Sequence, residues 1–193
     1  RLTSKKTSKT EAVQSQLVGD YHSDLVERLK SGGSRIAVPS PGGVTHVRLA
    51  VEFGFCYGVE RAVDYAYQTR LRFPDRNVYI TGEIIHNPGV NARLAEMGIR
   101  FLDGSDGSDW NINQVGADDV VILPAFGVTV QMMERLRSVG CVLVDSTCGS
   151  VLNVWKNVER YAREKFTSII HGKYSHEETR ATACRIDGPW IVV

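Results

Sequence analysis

Two cysteines, two histidines and a carboxylate carry the chemistry on offer: Cys56 in GFCYG, His86 in EIIHN, Cys148 in DSTCGS, and His176 with Glu178 in HGKYSHEET. Gly54 and Gly58 bracket Cys56 just ahead of a helix-like run. Glycines permit close backbone approach there, and a helix N-terminus favours the thiolate. Cys148 holds the matching place before Gly149 and a second helical run. A thiol so placed suits a metal ligand or a nucleophile. His86 fits either a ligand or a simple cap on the helix that follows it. His171, Lys173, His176, Glu177 and Glu178 bring imidazoles, a cation and carboxylates into one short stretch. That combination suits an anionic substrate and proton transfer. Cys141, inside CVLV, reads as a small buried hydrophobe, and Cys184 in RATACRI as structural.

Two thiolates with two or three imidazoles suit a zinc site or an iron–sulfur cluster. The spacings are not finger-like, and thiolates from separate elements commonly hold clusters, yet spacing alone leaves both open.

Elements of alternating type must position these groups. HVRLAVE alternates as a strand, with Val47, Leu49 and Val51 on one face, and from Gly58 the apolar residues Val59, Ala62, Val63, Ala66, Tyr67 and Leu71 recur at helical spacing. NVYITGEII reads as a strand; Asn87 and Pro88 then open a helix through Met97, closed by Gly98. IRFLD is a short strand before the polar loop DGSDGSDWN. DDVVILPAFGV, CVLVDST and TSIIH are strands, while TVQMMERLRSVG and VLNVWKNVERYAREK are helices. The fold class is α/β, built from repeated β/α lobes with mostly parallel sheets. Ligands of such sheets bind beyond the carboxyl ends of the strands. Cys56, His86, Cys148 and the His/Glu cluster each follow a strand, and are expected at one edge.

The bulk properties narrow the field. The chain has 193 residues, 42% hydrophobic and 23% charged, with a net charge of +1. This is a globular composition without the charge asymmetry of a nucleic-acid or membrane-surface protein. No apolar run approaches the roughly 20 residues of a membrane span. Four irregularly spaced cysteines do not form a disulfide pattern and suit a reducing compartment. RLTSKKTSKT reads as a disordered tail or a transit-peptide remnant, residues 31–46 as a linker or long hairpin, and residues 21–30 as one helix. The terminal WIVV looks like a strand in need of a neighbour, as in a fragment of a longer chain.

GFCYGVERAV, GEIIHNPGVNARLAEMG, DSTCGSVLNVW and IIHGKYSHEET, in this order, resemble the LytB family of 4-hydroxy-3-methylbut-2-enyl diphosphate reductases, in its plant and cyanobacterial branch. The likeness runs from about Val47 to the end. It implies an iron–sulfur oxidoreductase of non-mevalonate isoprenoid biosynthesis that yields isopentenyl and dimethylallyl diphosphate. It further implies three lobes around a central 4Fe-4S cluster, a diphosphate substrate, a ferredoxin or flavodoxin electron donor, and a bacterial cytoplasmic or plastid stromal location. Carried over by motif, Cys56 and Cys148 are cluster ligands, His86 and His176 hold the diphosphate, and Glu178 is the catalytic proton relay.

Within that likeness, residues 1–44 form an extension and linker, 45–148 a first lobe, and 149–193 an incomplete second lobe. A third lobe, carrying the third cluster cysteine, is expected beyond Val193, since Cys184 comes too early. The chain by itself is therefore expected to be inactive. Phe126 stands where the family motif commonly has histidine, and Gly149 where proline often follows the cysteine. The rival readings are a non-catalytic diphosphate-binding α/β module, which lacks a glycine-rich phosphate loop, and a Cys/His zinc protein.

Overall fold

The computed structural model describes residues 11–103 and 111–193. The N-terminal tail read over residues 1–10 and most of the loop DGSDGSDWN lie outside the described residues. The described chain divides into two compact units, one ending at Cys56 and one beginning at Tyr57.

The first unit holds helices α1 (Glu11–Tyr21) and α2 (Asp24–Ser31) and strands β1 (Arg35–Ser40) and β2 (Gly43–Arg48). Ser23 caps α2 by accepting the Val26 amide at 3.4 Å. β1 and β2 pair antiparallel from Arg35↔Arg48 to Ser40↔Gly43, around Pro41 and Gly42. This corrects the strand expected over HVRLAVE. It stops at Arg48, its partner is the local β1, and Val51 beyond it is 94% exposed. Alternation identified a strand but not its partner; the Pro-Gly-Gly turn supplied one close by. Cys56 therefore follows a hairpin and an irregular segment, not a strand of the parallel sheet.

The second unit opens with helix α3 (Tyr57–Arg72), whose Ala62, Val63, Ala66 and Tyr67 are buried while Leu71 is exposed. Strand β3 (Val78–Ile80), helix α4 (Pro88–Glu96), strands β4 (Ile99–Phe101) and β5 (Val120–Leu123), helix α5 (Val130–Val139), strand β6 (Val142–Asp145) and helix α6 (Gly149–Arg163) follow. β3 to β6 form one parallel sheet in the order β4-β3-β5-β6. The central strands β3 and β5 are buried at every position, as continuous apolar runs require when both faces are covered. Tyr79, Val121 and Leu123 share a core cluster with Val128 and Leu136. By alternation, Val78, Ile80, Val120 and Ile122 face the other way.

The helix ends follow their sequence signals. Asn87 accepts the Val90 amide at 3.2 Å with Pro88 in the first turn, and Gly98 and Gly140 take φ of +80° beyond α4 and α5.

A second parallel sheet pairs β7 (Ser168–Ile170) with β8 (Trp190–Val192), joined through helix α7 (Glu177–Ala183). The terminal WIVV thus finds its neighbour in β7. The stretch after TSIIH, expected as loop, contains α7; its polar residues hid a short helix. The β7 end belongs to a different sheet from the β3 and β6 ends, so the single shared strand edge is not what forms.

Candidate functional site: a histidine pair on two loops

His86 sits on the loop between β3 and α4, and that loop is pinned from within. Asn91 accepts the Ile84 amide at 3.3 Å and donates to the Ile85 carbonyl at 2.9 Å. The Ala125 amide bonds the Ile84 carbonyl at 3.2 Å, tying this loop to the one that follows β5. The β5 loop carries Phe126, whose ring stacks on His86 with centroids 4.3 Å apart and planes inclined by 22°.

His176 is the N-cap of α7, its Nδ1 accepting the Glu178 amide at 3.2 Å. Its Nε2 lies 2.9 Å from His86 Nε2, and Phe126 meets its ring edge-on at 5.5 Å. Glu83 closes the far side of His86, with Oε2 at 2.7 Å from Nδ1. The carboxylate nearest the pair across α7 belongs to Glu177, 4.0 Å from His86 Nε2. Glu178 is half-buried beside them and contributes its amide. One nitrogen or oxygen from each of His86, His176 and Glu177 falls within 4.8 Å of the others. The two Nε2 atoms face one another, so one ring donates to the other across the gap.

Cys148 is placed by its own strand end. Asp145 accepts the Thr147 amide at 3.0 Å and its hydroxyl at 2.6 Å, and Ser146 donates its hydroxyl to the Leu123 carbonyl. The Cys148 amide then bonds the Ala125 carbonyl at 2.9 Å. Its side chain stands at the N-terminus of α6 without making a cap bond. The first turn of α3 lies against it: a Cβ on Gly58 would overlap the Cys148 sulfur, and Arg61 reaches the Thr147 carbonyl at 3.4 Å.

Trp155 of α6 wedges this assembly together. It clusters with Val151 and Ala181 of α7, lies against Gly127, and carries the Arg185 guanidinium 3.3 Å above its ring. Burial holds the Arg185 guanidinium below its ordinary range, partly offset by Cys184.

Of the residues predicted from sequence, His86 and His176 thus come together with the Glu178 backbone amide on His176, and Cys148 follows β6 of the same unit. Cys56 is exposed and belongs to the other compact unit, while His171 and Lys173 are exposed. Cys141 packs against the core cluster, where burial pushes its thiol up. Cys184 caps the end of α7, accepting the Val130 amide at 3.3 Å and donating to the Ala181 carbonyl at 3.2 Å. Glu83 and Asn91 escaped sequence reasoning. Their signal was EIIHNPGVN, a loop followed by a capped helix, which brings both back onto the histidine.

A parallel sheet covered by helices, a histidine pair on loops from two different sheets, and a cysteine at a helix N-terminus define an α/β protein whose candidate site lies beyond its strand ends. Residues 47–193 match the LytB protein family, and the chain belongs to that family. It is 49% identical over 183 residues to the 4-hydroxy-3-methylbut-2-enyl diphosphate reductase of Thermosynechococcus vestitus, covering 95% of this chain and 44% of that protein. The reductase of Nostoc punctiforme is 48% identical, with 94% of this chain and 44% of the relative covered. The chain therefore spans just under half the length of these curated relatives.

Among solved structures, a (E)-4-hydroxy-3-methyl-but-2-enyl diphosphate reductase, described as the terminal enzyme of the non-mevalonate pathway, superposes with a TM-score of 0.61 at 32% identity. That match covers 72% of this chain and 48% of the other. The Plasmodium falciparum reductase gives a TM-score of 0.64 at 26% identity, covering 72% and 42%.

Proposed function

We propose that this chain forms part of an enzyme that reduces 4-hydroxy-3-methylbut-2-enyl diphosphate to isopentenyl and dimethylallyl diphosphate. The observation that carries the reading is the His86–His176 pair, two imidazoles from separate loops whose Nε2 atoms converge at 2.9 Å. Converging imidazoles beside the N-termini of α4 and α7 suit a diphosphate, whose oxygens accept hydrogen bonds from ring and backbone N–H groups.

Cys56 and Cys148 would supply thiolates to a 4Fe-4S cluster. The fit is supported at Cys148, whose side chain makes no cap bond and lies where Gly58 leaves out a Cβ. Cys184, bonded into the end of α7, is not offered in the same way. When bound, such a cluster supplies electrons and an open iron that acts as a Lewis acid on the substrate hydroxyl. Glu178 delivers a proton to the departing hydroxyl, which leaves as water. The full change consumes two electrons and two protons, one proton ending in water and one on carbon. Ferredoxin or flavodoxin is the proposed electron donor, and bacterial cytoplasm or plastid stroma the proposed location. Among the described residues no helix is long and apolar enough to cross a membrane. The change of sheet between β6 and β7 supports a lobe boundary near Cys148.

The test is an anaerobic assay of the full-length protein, reconstituted with iron and sulfide and given a reduced donor. Formation of both five-carbon diphosphates is expected. A protein that carries stoichiometric zinc instead, or that binds the diphosphate without turnover, overturns the reading.

A further inference from the structure

The hydrogen bonds around the histidine pair admit one self-consistent set of protons. A backbone amide can only donate, so His176 Nδ1, which receives the Glu178 amide at 3.2 Å, carries no proton. Neutral His176 therefore bears its proton on Nε2, directed at His86 Nε2 at 2.9 Å. Two N–H groups cannot fill that gap, so His86 Nε2 is bare and its proton sits on Nδ1. That proton is donated to Glu83 Oε2 at 2.7 Å. The opposite assignment would place a proton on His176 Nδ1, against the Glu178 amide.

The charged groups in contact with the rings are Glu83, on His86 Nδ1, and Glu177. Glu178 shares the first turn of α7, whose last turn carries Arg180. Arg93 and Glu96 lie on α4, and Lys173 is exposed on the loop before α7. The loop after β5 contributes the uncharged Phe126. As neutral rings the pair holds a single Nε2 proton, and it lies between the two rings. His176 already donates from Nε2, whereas His86 Nε2 can donate only after gaining a proton.

We propose that Glu83 is a positioning residue that fixes the tautomers of His86 and His176, so that diphosphate binds with uptake of one proton at His86 Nε2. One N–H bond forms, its proton coming from solvent, and no substrate bond breaks. Glu83 then faces an imidazolium across Nδ1, as second-sphere carboxylates hold ligand histidines elsewhere. The proposal rests on the diphosphate reading of this site given above.

Calorimetry on the full-length protein with isopentenyl diphosphate, a diphosphate monoester, at pH 8 in two buffers of different ionisation enthalpy measures the proton uptake. Phosphate groups titrate near pH 6, so uptake at pH 8 belongs to the protein. Uptake approaching one proton is expected. Glu83→Ala is expected to cut it by about half or more and to raise substrate KM about tenfold, with kcat within about threefold, as for loss of a hydrogen bond to a charged group. Glu83→Gln, nearly isosteric, keeps an acceptor but not the charge; it is expected to lower uptake and raise KM about threefold. It decides the matter if Glu83→Ala does not fold. Uptake and KM unchanged in the Glu83 variant overturn the proposal. His86→Asn separates the two readings. If it weakens diphosphate binding while the Glu83 variants do not, only this proposal falls. If it leaves binding unchanged, the diphosphate reading falls with it.

Discussion

Gly58 and Cys148 are packed so closely that a methyl group on the glycine would overlap the sulfur and come within 3.1 Å of the cysteine Cβ. The glycine lies in the first turn of α3 and the cysteine at the start of α6. Gly58→Ala should therefore displace the thiol. We expect iron content per reconstituted full-length protein to fall while the far-UV circular dichroism is kept, because overpacking typically costs about 1–3 kcal/mol rather than the whole fold. Full iron loading with the variant would contradict the placement of Cys148 as a ligand.

Cys148→Ser should remove the broad visible absorption of the reconstituted full-length protein and its turnover together, as should Cys56→Ser. A hydroxyl does not replace the thiolate that clusters require. Near-normal turnover in either variant would sink that cysteine's assignment.

Phe126 lies flat on His86 and edge-on to His176. Phe126→Ala frees both rings, and aromatic pairs are worth about 0.5–1.5 kcal/mol beyond burial. Substrate KM should rise about three- to tenfold, with a smaller change in kcat. An unchanged KM in steady-state assays would mean that the loops alone hold the imidazoles.

Gly127 has φ of +74°, and a Cβ there would overlap the Trp155 ring and come within 3.2 Å of Thr147 Cγ2. Gly127→Ala combines backbone strain with a clash against a buried indole. We expect a loss of about 2–4 kcal/mol in denaturant melts. A loss below about 0.5 kcal/mol would show that Trp155 does not brace this loop as described.

Burial pushes the Cys141 thiol up from its ordinary 9.0, so the folded chain favours the neutral form. The stabilisation is present below that ordinary value and is lost as pH rises through the raised one. Cys141→Ala should flatten the alkaline limb of the stability–pH curve above about pH 9. A limb unchanged by the substitution would exclude Cys141 as its source.

Much of the element order could be read along the chain, because the cues are local. DDVVIL is apolar at every buried position of β5, and Asn87-Pro88 and Gly140 mark helix ends by backbone chemistry that needs no partner. Helices α1 and α7 lie outside the sequence expectations; α7 is short and polar and its cap is a histidine. HVRLAVE is strand over its first three residues but pairs with β1 and not within the parallel sheet, since alternation is silent on pairing.

By itself, the sequence determined which chemical groups exist and that strands deliver them: His86 after β3, Cys148 after β6, His176 after β7. It determined the caps and turns as well, since those depend on neighbours a few residues away. Only the tertiary structure decided that His86 and His176, ninety positions apart, meet at 2.9 Å. The tertiary structure likewise decided that Glu83 and Phe126 hold the first of them, and that Cys148 packs on Gly58. Those relationships depend on how two separate sheets, β4-β3-β5-β6 and β7-β8, are braced through Trp155. Long-range packing of that kind leaves no periodicity in the chain.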